Sequence, residues 1–366
     1  MDKLVDLSVS GLSKVYGRQS EVKALDDFSL AFPAGQCTVL LGPSGCGKTT
    51  VLRSIAGLIT PDEGRIMIGD TVAFDHARRT EVPPEERRLG MVFQSYALWP
   101  HMTVAENIAY PLLSSGLSKA EIAAKATAML DWVGLGGIGG RYIHELSGGQ
   151  QQRISLARAM VGKPRAILFD EPLSNLDARL RERMRMELLA LRQKVPFTSI
   201  YVTHDQLEAM TLGDRVVVMR AGKIEQAGPP EDVYRRPRTR FAAEFVGIQN
   251  LLDGTVRGRT GQVVHVDTAL GTLNARGWRD DRAAGARCTV AVRATLLTIE
   301  AGAKRADGAG HGRVVRSAFQ GSSSIILVDV GGTEIVVECL EEGRQEPGAT
   351  VAVKPAPNAI FALLDD

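Results

Sequence analysis

No run of this sequence approaches the ~18 apolar residues that a membrane-spanning helix requires, although hydrophobic residues fill 44% of its 366 positions. The start of the chain carries Asp2 and Asp6 and has no apolar stretch, so no signal peptide is expected. Cysteine is scarce. Cys37, Cys46, Cys288 and Cys339 are far apart and form no CxxC, which suits a reducing cytoplasm and argues against a disulfide framework or a zinc site. Net charge is only +2. Basic residues are scattered, so a general binder of nucleic acid or membrane surface is not expected. No N-K-x-D guanine-reading motif occurs, and no sustained heptads. What remains is a chain long enough for more than one domain, with apolar residues enough for real cores.

Against that background one stretch stands out: Gly42-Pro43-Ser44-Gly45-Cys46-Gly47-Lys48-Thr49-Thr50. It fits G-x-x-x-x-G-K-[ST], a loop that wraps phosphates. Its glycines permit turns closed to other residues and let N–H groups approach an anion. Lys48 is a point charge on a flexible stem that can reach the β- and γ-phosphates, and Thr49 offers a hydroxyl to Mg²⁺. Gln36–Leu41 before it reads as a buried strand. Thr50–Ala56 after it reads as a helix closed by Gly57. The loop thus lies at a helix N-terminus, where free N–H groups and the dipole favour an anion.

Further along, Leu89–Phe93 reads as a buried strand ending at Gln94. Residues 75–88 read as a loop and 95–117 as irregular, with Leu98, Trp99, Met102 and Val104 facing the surface. Ser118–Glu121 is a capping box that opens a helix ended by Gly134. Ser147-Gly148-Gly149-Gln150 obeys the same rule, and the helix behind it runs to about Val161. Two glycines in a first turn cost roughly 1 kcal/mol each against alanine. Either they are tolerated beside an N-cap, or the N–H groups form a second anion site. Ala166–Asp170 is a buried strand that ends in Asp170 and Glu171, and strand C-termini face the ligand crevice of an open parallel sheet. Asp170 suits Mg²⁺. Glu171 could polarise a water. Asp177 caps a helix from Ala178 to about Val195. Ser199–Thr203 is a third buried strand, ending at His204, either an ordinary surface histidine or a γ-phosphate contact. Tyr16, after Lys14 and Val15 and before Gly17 and Arg18, is an exposed aromatic that packs on a strand edge or stacks on a base. From about Leu251 helix signals vanish. Short β-branched runs recur instead, at residues 262–266, 288–292, 312–315, 324–330, 334–338 and 350–353, which indicates a small all-β barrel or sandwich.

Together these pieces resemble the ATP-binding subunit of ABC transporters, closely over about the first 240 residues and loosely beyond. Gly42–Thr49 matches the Walker A motif and Gln94 the Q-loop glutamine. Leu146–Arg153 matches the signature, Ile167–Glu171 Walker B with the catalytic glutamate, Ser174–Asp177 the D-loop, and His204 the switch histidine. The resemblance implies an α/β P-loop ABC-type ATPase domain over 1–240, a mixed sheet with a helical subdomain at about 95–160, followed by an all-β OB-like TOBE domain over 241–366. It implies that ATP lies between the Walker A of one subunit and the signature of another. Gly42 to Thr50, Gln94 and Asp177 would belong to that nucleotide site, with Ser147, Gly148, Gly149 and Gln150 supplied by the facing subunit and Tyr16 stacked on adenine. Mg²⁺ would be held by Thr49, Gln94 and Asp170, while Glu171 activates water and His204 steadies the γ-phosphate. The implied partners are a second copy of the chain, membrane permeases met through residues near 95–111, and indirectly a solute-binding protein, at the cytoplasmic face of the inner membrane. No nucleic acid is expected.

Within the family, the β tail and Phe245–Leu252 resemble importers of spermidine/putrescine or ferric iron, with phosphonates among the solutes of related systems. A soluble ABC ATPase acting on ribosomes or DNA is the rival, though such proteins usually carry two ATPase halves or a long coiled coil. Two departures stand: Ile143 where the family often has proline, and Ala294-Thr295 after Arg293 where its tail usually reads Arg-Pro-Glu.

Overall fold

Strands covered on both faces need apolar side chains on both, and they read as unbroken apolar runs. Three largely apolar runs make the centre of the first unit of the computed structural model: β3 (Cys37–Leu41), β8 (Ala166–Asp170) and β9 (Ser199–Thr203), buried along their whole length. The structure describes residues 4–17, 22–277, 282–301, 310–340, 345–357 and 359–365. Asp2 and Arg18 lie outside them. The chain folds as two units, 1–230 and 231–366.

In the first unit, β1 (Leu7–Tyr16) and β2 (Val22–Phe32) form a hairpin. After β3 comes α1 (Lys48–Ala56), closed by Gly57 in the left-handed conformation. Next are β4 (Glu63–Ile68), β5 (Thr71–Asp75), the two-residue β6 (Thr80–Glu81) and β7 (Leu89–Val92). The first two strands and β4 to β6 make an antiparallel sheet ordered β2-β1-β4-β5-β6. Helices α2 (Val104–Ala109), α3 (Lys119–Trp132) and α4 (Gly148–Val161) follow. They share one apolar cluster, with Ile108, Leu130, Ile143 and Ile154 inside it. Beyond β8 are α5 (Ala178–Lys194), then β9, α6 (Gln206–Leu212), β10 (Arg215–Arg220) and β11 (Lys223–Gly228). The central sheet is ordered β11-β10-β3-β9-β8-β7, parallel except for the edge strand β11.

The second unit opens with α7 (Pro230–Arg235), which straddles the division, and α8 (Arg240–Phe245). Among the described residues the remaining regular elements are β-strands, as the tail sequence indicates, apart from a 3-10 turn at Ala294–Leu296. Strands β12 (Asn250–Thr260), β13 (Val263–Thr268), β14 (Gly271–Arg276) and β15 (Arg287–Val292) close into a barrel with the final strand, β21 (Phe361–Leu363). A second sheet, ordered β16-β20-β17-β18-β19, is built from β16 (Leu297–Ala301), β17 (Gly310–Phe319), β18 (Ser324–Val330), β19 (Thr333–Cys339) and β20 (Thr350–Pro355). Barrel and sheet share one core. Asn250 stitches them: its Nδ2 donates to the carbonyls of Val292 and Val336, and its Oδ1 accepts from Val336 N–H at 2.7 Å.

Several expectations need correction. The stretch 95–117 is not irregular throughout. Thr103 and Glu106 form a capping box for α2, and Thr103-x-x-Glu106 was a readable start signal. Residues 75–88 contain the short β6 and a 3-10 turn at Pro84–Glu86. In the tail the recurring β-branched runs miss β12, β14, β16 and β21, whose glycines, charges and alanines dilute the alternation. The expected barrel is present, and a five-stranded sheet that shares its core stands beside it.

Candidate functional site

The parallel strands of the central sheet end nearly level. Leu41 pairs with Thr203, Val202 with Asp170, and Phe169 with Val92. The carboxyl ends of the adjacent strands β3, β9, β8 and β7 therefore line one edge of the sheet. Immediately beyond them come the phosphate loop, His204, Glu171 and, two residues on, Gln94. Four segments remote in sequence meet where ligands bind in open α/β sheets.

Inside the loop, Pro43, Ser44 and Gly45 are exposed, Cys46, Gly47 and Lys48 buried, and Thr49 and Thr50 half-buried. Lys48 Nζ donates to the carbonyls of Gly42 at 2.7 Å and Pro43 at 2.9 Å, folding the ammonium back under the loop. Burial pushes the Cys46 thiol up, while Lys48 pulls it the other way. Gly222 N–H, in the turn between β10 and β11, holds the Cys46 carbonyl at 3.0 Å.

Gly47 has φ 103°, and a Cβ there would lie 2.4 Å from the Ala24 carbonyl. Gly45 also has positive φ, at 80°, but a Cβ on it meets nothing within 4 Å. Gly45→Ala should therefore cost only the left-handed dihedral, about 1–2 kcal/mol. Gly47→Ala should cost at least about 1 kcal/mol more. Chemical denaturation of the two variants checks this, and equal losses would mean that Ala24 can retreat. The same contact locates Tyr16. Ala24 lies two residues from Val22, which pairs with Tyr16. Tyr16 is thus at the end of a hairpin that abuts the phosphate loop, 41% exposed, with Lys14 Nζ 5.7 Å from its ring centre.

Asp170 is 4% exposed. Its Oδ1 accepts from Thr49 Oγ1 at 3.2 Å, and its Oδ2 accepts from Arg53 Nη2 at 3.2 Å. A hydroxyl and a carboxylate this close are hard oxygen donors, the set a small divalent cation takes from protein while phosphates and water supply the rest. Glu171 is one residue further and has φ 47°. A non-glycine residue in left-handed backbone is strained, and such strain clusters at functional sites. Ser174 helps to hold it, donating Oγ to the Glu171 carbonyl at 2.9 Å. His204 Nδ1 lies 3.1 Å from Glu171 Oε2. Behind His204, Glu208 is 2% exposed and accepts from Tyr201 Oη and Thr203 Oγ1. Burial pushes its carboxyl up, although both hydrogen bonds pull it down.

Gln94 is exposed, and its carbonyl accepts from Asn175 Nδ2 at 3.0 Å. Asp177 is the N-cap of α5, accepting from Leu180 N–H at 3.0 Å. Ser147 begins α4 as a capping box with Gln150 and is exposed. Gly148 is half-buried. A Cβ on Gly149 would press on Leu180 at 3.1 Å, so close packing on α5 is itself a reason for glycine there. Sequence reasoning gave Asn175 only as one residue of the D-loop match and missed Arg53, although a helix basic residue four after Thr49 shares its face. Among the described residues no three His, Cys, Asp or Glu side chains cluster as metal ligands.

The chain is similar to known proteins. The family model described as ABC transporter matches residues 25–174, and the one described as TOBE domain matches 290–363. "Fe(3+) ions import ATP-binding protein FbpC" of Agrobacterium fabrum is 48% identical over 81% of both chains. "Spermidine/putrescine import ATP-binding protein PotA" of Methylococcus capsulatus is 44% identical over 98% of this chain and 92% of its own length. Among solved structures, the ATP-binding cassette MJ0796, dimeric in a post-hydrolysis state bound to ADP and Pi, superposes with a TM-score of 0.53. It is 30% identical, and the match covers 61% of this chain and 98% of that one.

Proposed function

The chain belongs to the ABC transporter family as an ATP-binding subunit with a C-terminal TOBE domain, and from that premise we propose how its residues couple ATP to solute import. It is an ATPase. The observation that carries the reading is the shared edge of β3, β9, β8 and β7, where phosphate loop, His204, Asp170–Glu171 and Gln94 converge. Phosphoryl transfer requires mostly positioning and charge neutralisation. Lys48 and the loop N–H groups hold the phosphates of ATP. Thr49, Asp170 and Gln94 would hold Mg²⁺, which when bound neutralises phosphate charge. Glu171 takes the proton of the attacking water. His204, against Glu171, steadies the γ-phosphate end, and Tyr16 offers its ring to the base.

Ser147, with its capped helix end, is exposed on a different element from the phosphate loop. In our reading it completes the site of a second copy, so ATP binding closes a dimer and hydrolysis opens it. The motion is passed to membrane permeases on the cytoplasmic face, and a solute-binding protein delivers the cargo. Trp99 and Tyr110, with ring centres 4.1 Å apart, and the exposed Leu113 are the contact surface we assign to the permease. Among the described residues no helix is long and apolar enough to cross a membrane. The names of the two relatives favour ferric iron or a polyamine as solute. Affinity purification of the tagged chain from its own cells tests the reading. Membrane permeases should accompany it, and deletion should impair growth on the transported solute. Recovery of ribosomes or DNA in their place would overturn it.

A further inference from the structure

After β7 the backbone takes a course that residues with a Cβ avoid. Tyr96 and Ala97 are both left-handed, with φ 61° and 49°. Two such residues in succession persist only where their surroundings hold them. The holder is on α4. Arg158 donates Nη2 to the Tyr96 carbonyl at 2.8 Å and Nη1 to the Ala97 carbonyl at 2.6 Å. Ser155, one turn earlier, donates Oγ to the Tyr96 carbonyl at 3.1 Å. Arg158 is 7% exposed and Ser155 wholly buried. The Trp99 ring covers the guanidinium, 4.9 Å from ring centre to Cζ. A rigid planar fork suits two neighbouring acceptors, whereas lysine would present a single point charge.

The loop and the helix that holds it both lead to the site. Its first residue, Gln94, is tied through its carbonyl to Asn175, four residues after Glu171. The helix that grips Tyr96 and Ala97 is the one that begins at Ser147. We propose that Arg158 is a positioning residue for ATP hydrolysis, making α4 and the Gln94 loop one rigid body. The helix end that meets the facing subunit and the glutamine that meets the bound nucleotide then move together. Arg158 and Ser155 both lie outside the phosphate loop and spend their donors on the Tyr96 and Ala97 carbonyls. This inference rests on the reading of Gln94 given above.

A double-mutant cycle in the full-length chain tests it. Arg158→Lys should keep equilibrium affinity for a fluorescent ATP analogue within about 3-fold, because the phosphate loop is untouched. Its kcat should fall by about 30-fold or more, as misplacement by 1 Å can cost ~100-fold. If Arg158 acts through Gln94, Arg158→Lys should cost no more than about 3-fold when added to Gln94→Ala. Additive losses, or an unchanged kcat in Arg158→Lys, would overturn the proposal alone. A Gln94→Ala chain with wild-type kcat would overturn the site reading and the proposal with it. Should Arg158→Lys fail to fold, Ser155→Ala enters the same cycle. Removing one of the three bonds should lower kcat about 3-fold in the wild-type background and not in Gln94→Ala; a loss that persists there would overturn the proposal.

Discussion

Glu171→Gln should bind ATP as tightly as the wild type and hydrolyse it about 100- to 10,000-fold more slowly, the range that a positioned base supplies. The amide fills the space of the carboxylate and still accepts a hydrogen bond at Oε1, so the contact with His204 Nδ1, 3.1 Å away in the wild type, can survive. What it cannot do is take a proton from water. The strained backbone at φ 47° is held by hydrogen bonds at its own main chain, Glu171 N–H to the Val202 carbonyl and Ser174 Oγ to the Glu171 carbonyl, and should not change. With hydrolysis stopped and binding intact, the chain should accumulate as an ATP-bound dimer. Phosphate release and size-exclusion chromatography read the two effects separately. Turnover within a few-fold of wild type would remove Glu171 from the role of base.

Residue order made the phosphate loop, Gln94, Asp170, Glu171 and His204 legible because each sits at or just past the end of a strand. Apolar runs at 37–41, 166–170 and 199–203 mark buried parallel strands, and the residues directly after them must lie at the sheet edge. The sequence also identified the helix caps: Ser118, Ser147 and Asp177 all occupy the N-cap positions that their spacing indicates. Legibility ended where the cause is tertiary. Nothing local announces that Arg158 grips carbonyls about sixty residues earlier, because those acceptors are backbone and carry no side-chain signature. Nor could the sequence tell that Gly149 is constrained by Leu180, a residue on another helix. In the β tail, pairing between β14 and β21 joins residues 275 and 361, and a three-residue strand has too little pattern to be seen. The Ala294-Thr295 departure leaves Arg293 well used all the same. Its guanidinium lies 3.5 Å from the Tyr234 ring centre and donates to the Tyr234 carbonyl.

The central claim is that each nucleotide site is shared between two copies of the chain. Lys48→Ala removes the ammonium from the phosphate loop, and Ser147→Arg blocks the capped end of α4 with a long cation. Each variant alone spoils both sites of its dimer, so each should be nearly inactive. In a heterodimer one site carries both faults and the other carries neither. An equimolar, fully exchanged mixture pairs at random, so half its dimers are mixed and roughly a quarter of all sites are whole. Steady-state phosphate release from that mixture is the most direct measurement. Recovery toward about a quarter of wild-type activity is the predicted result. A mixture no more active than the mean of its two components would contradict the sharing of sites between chains.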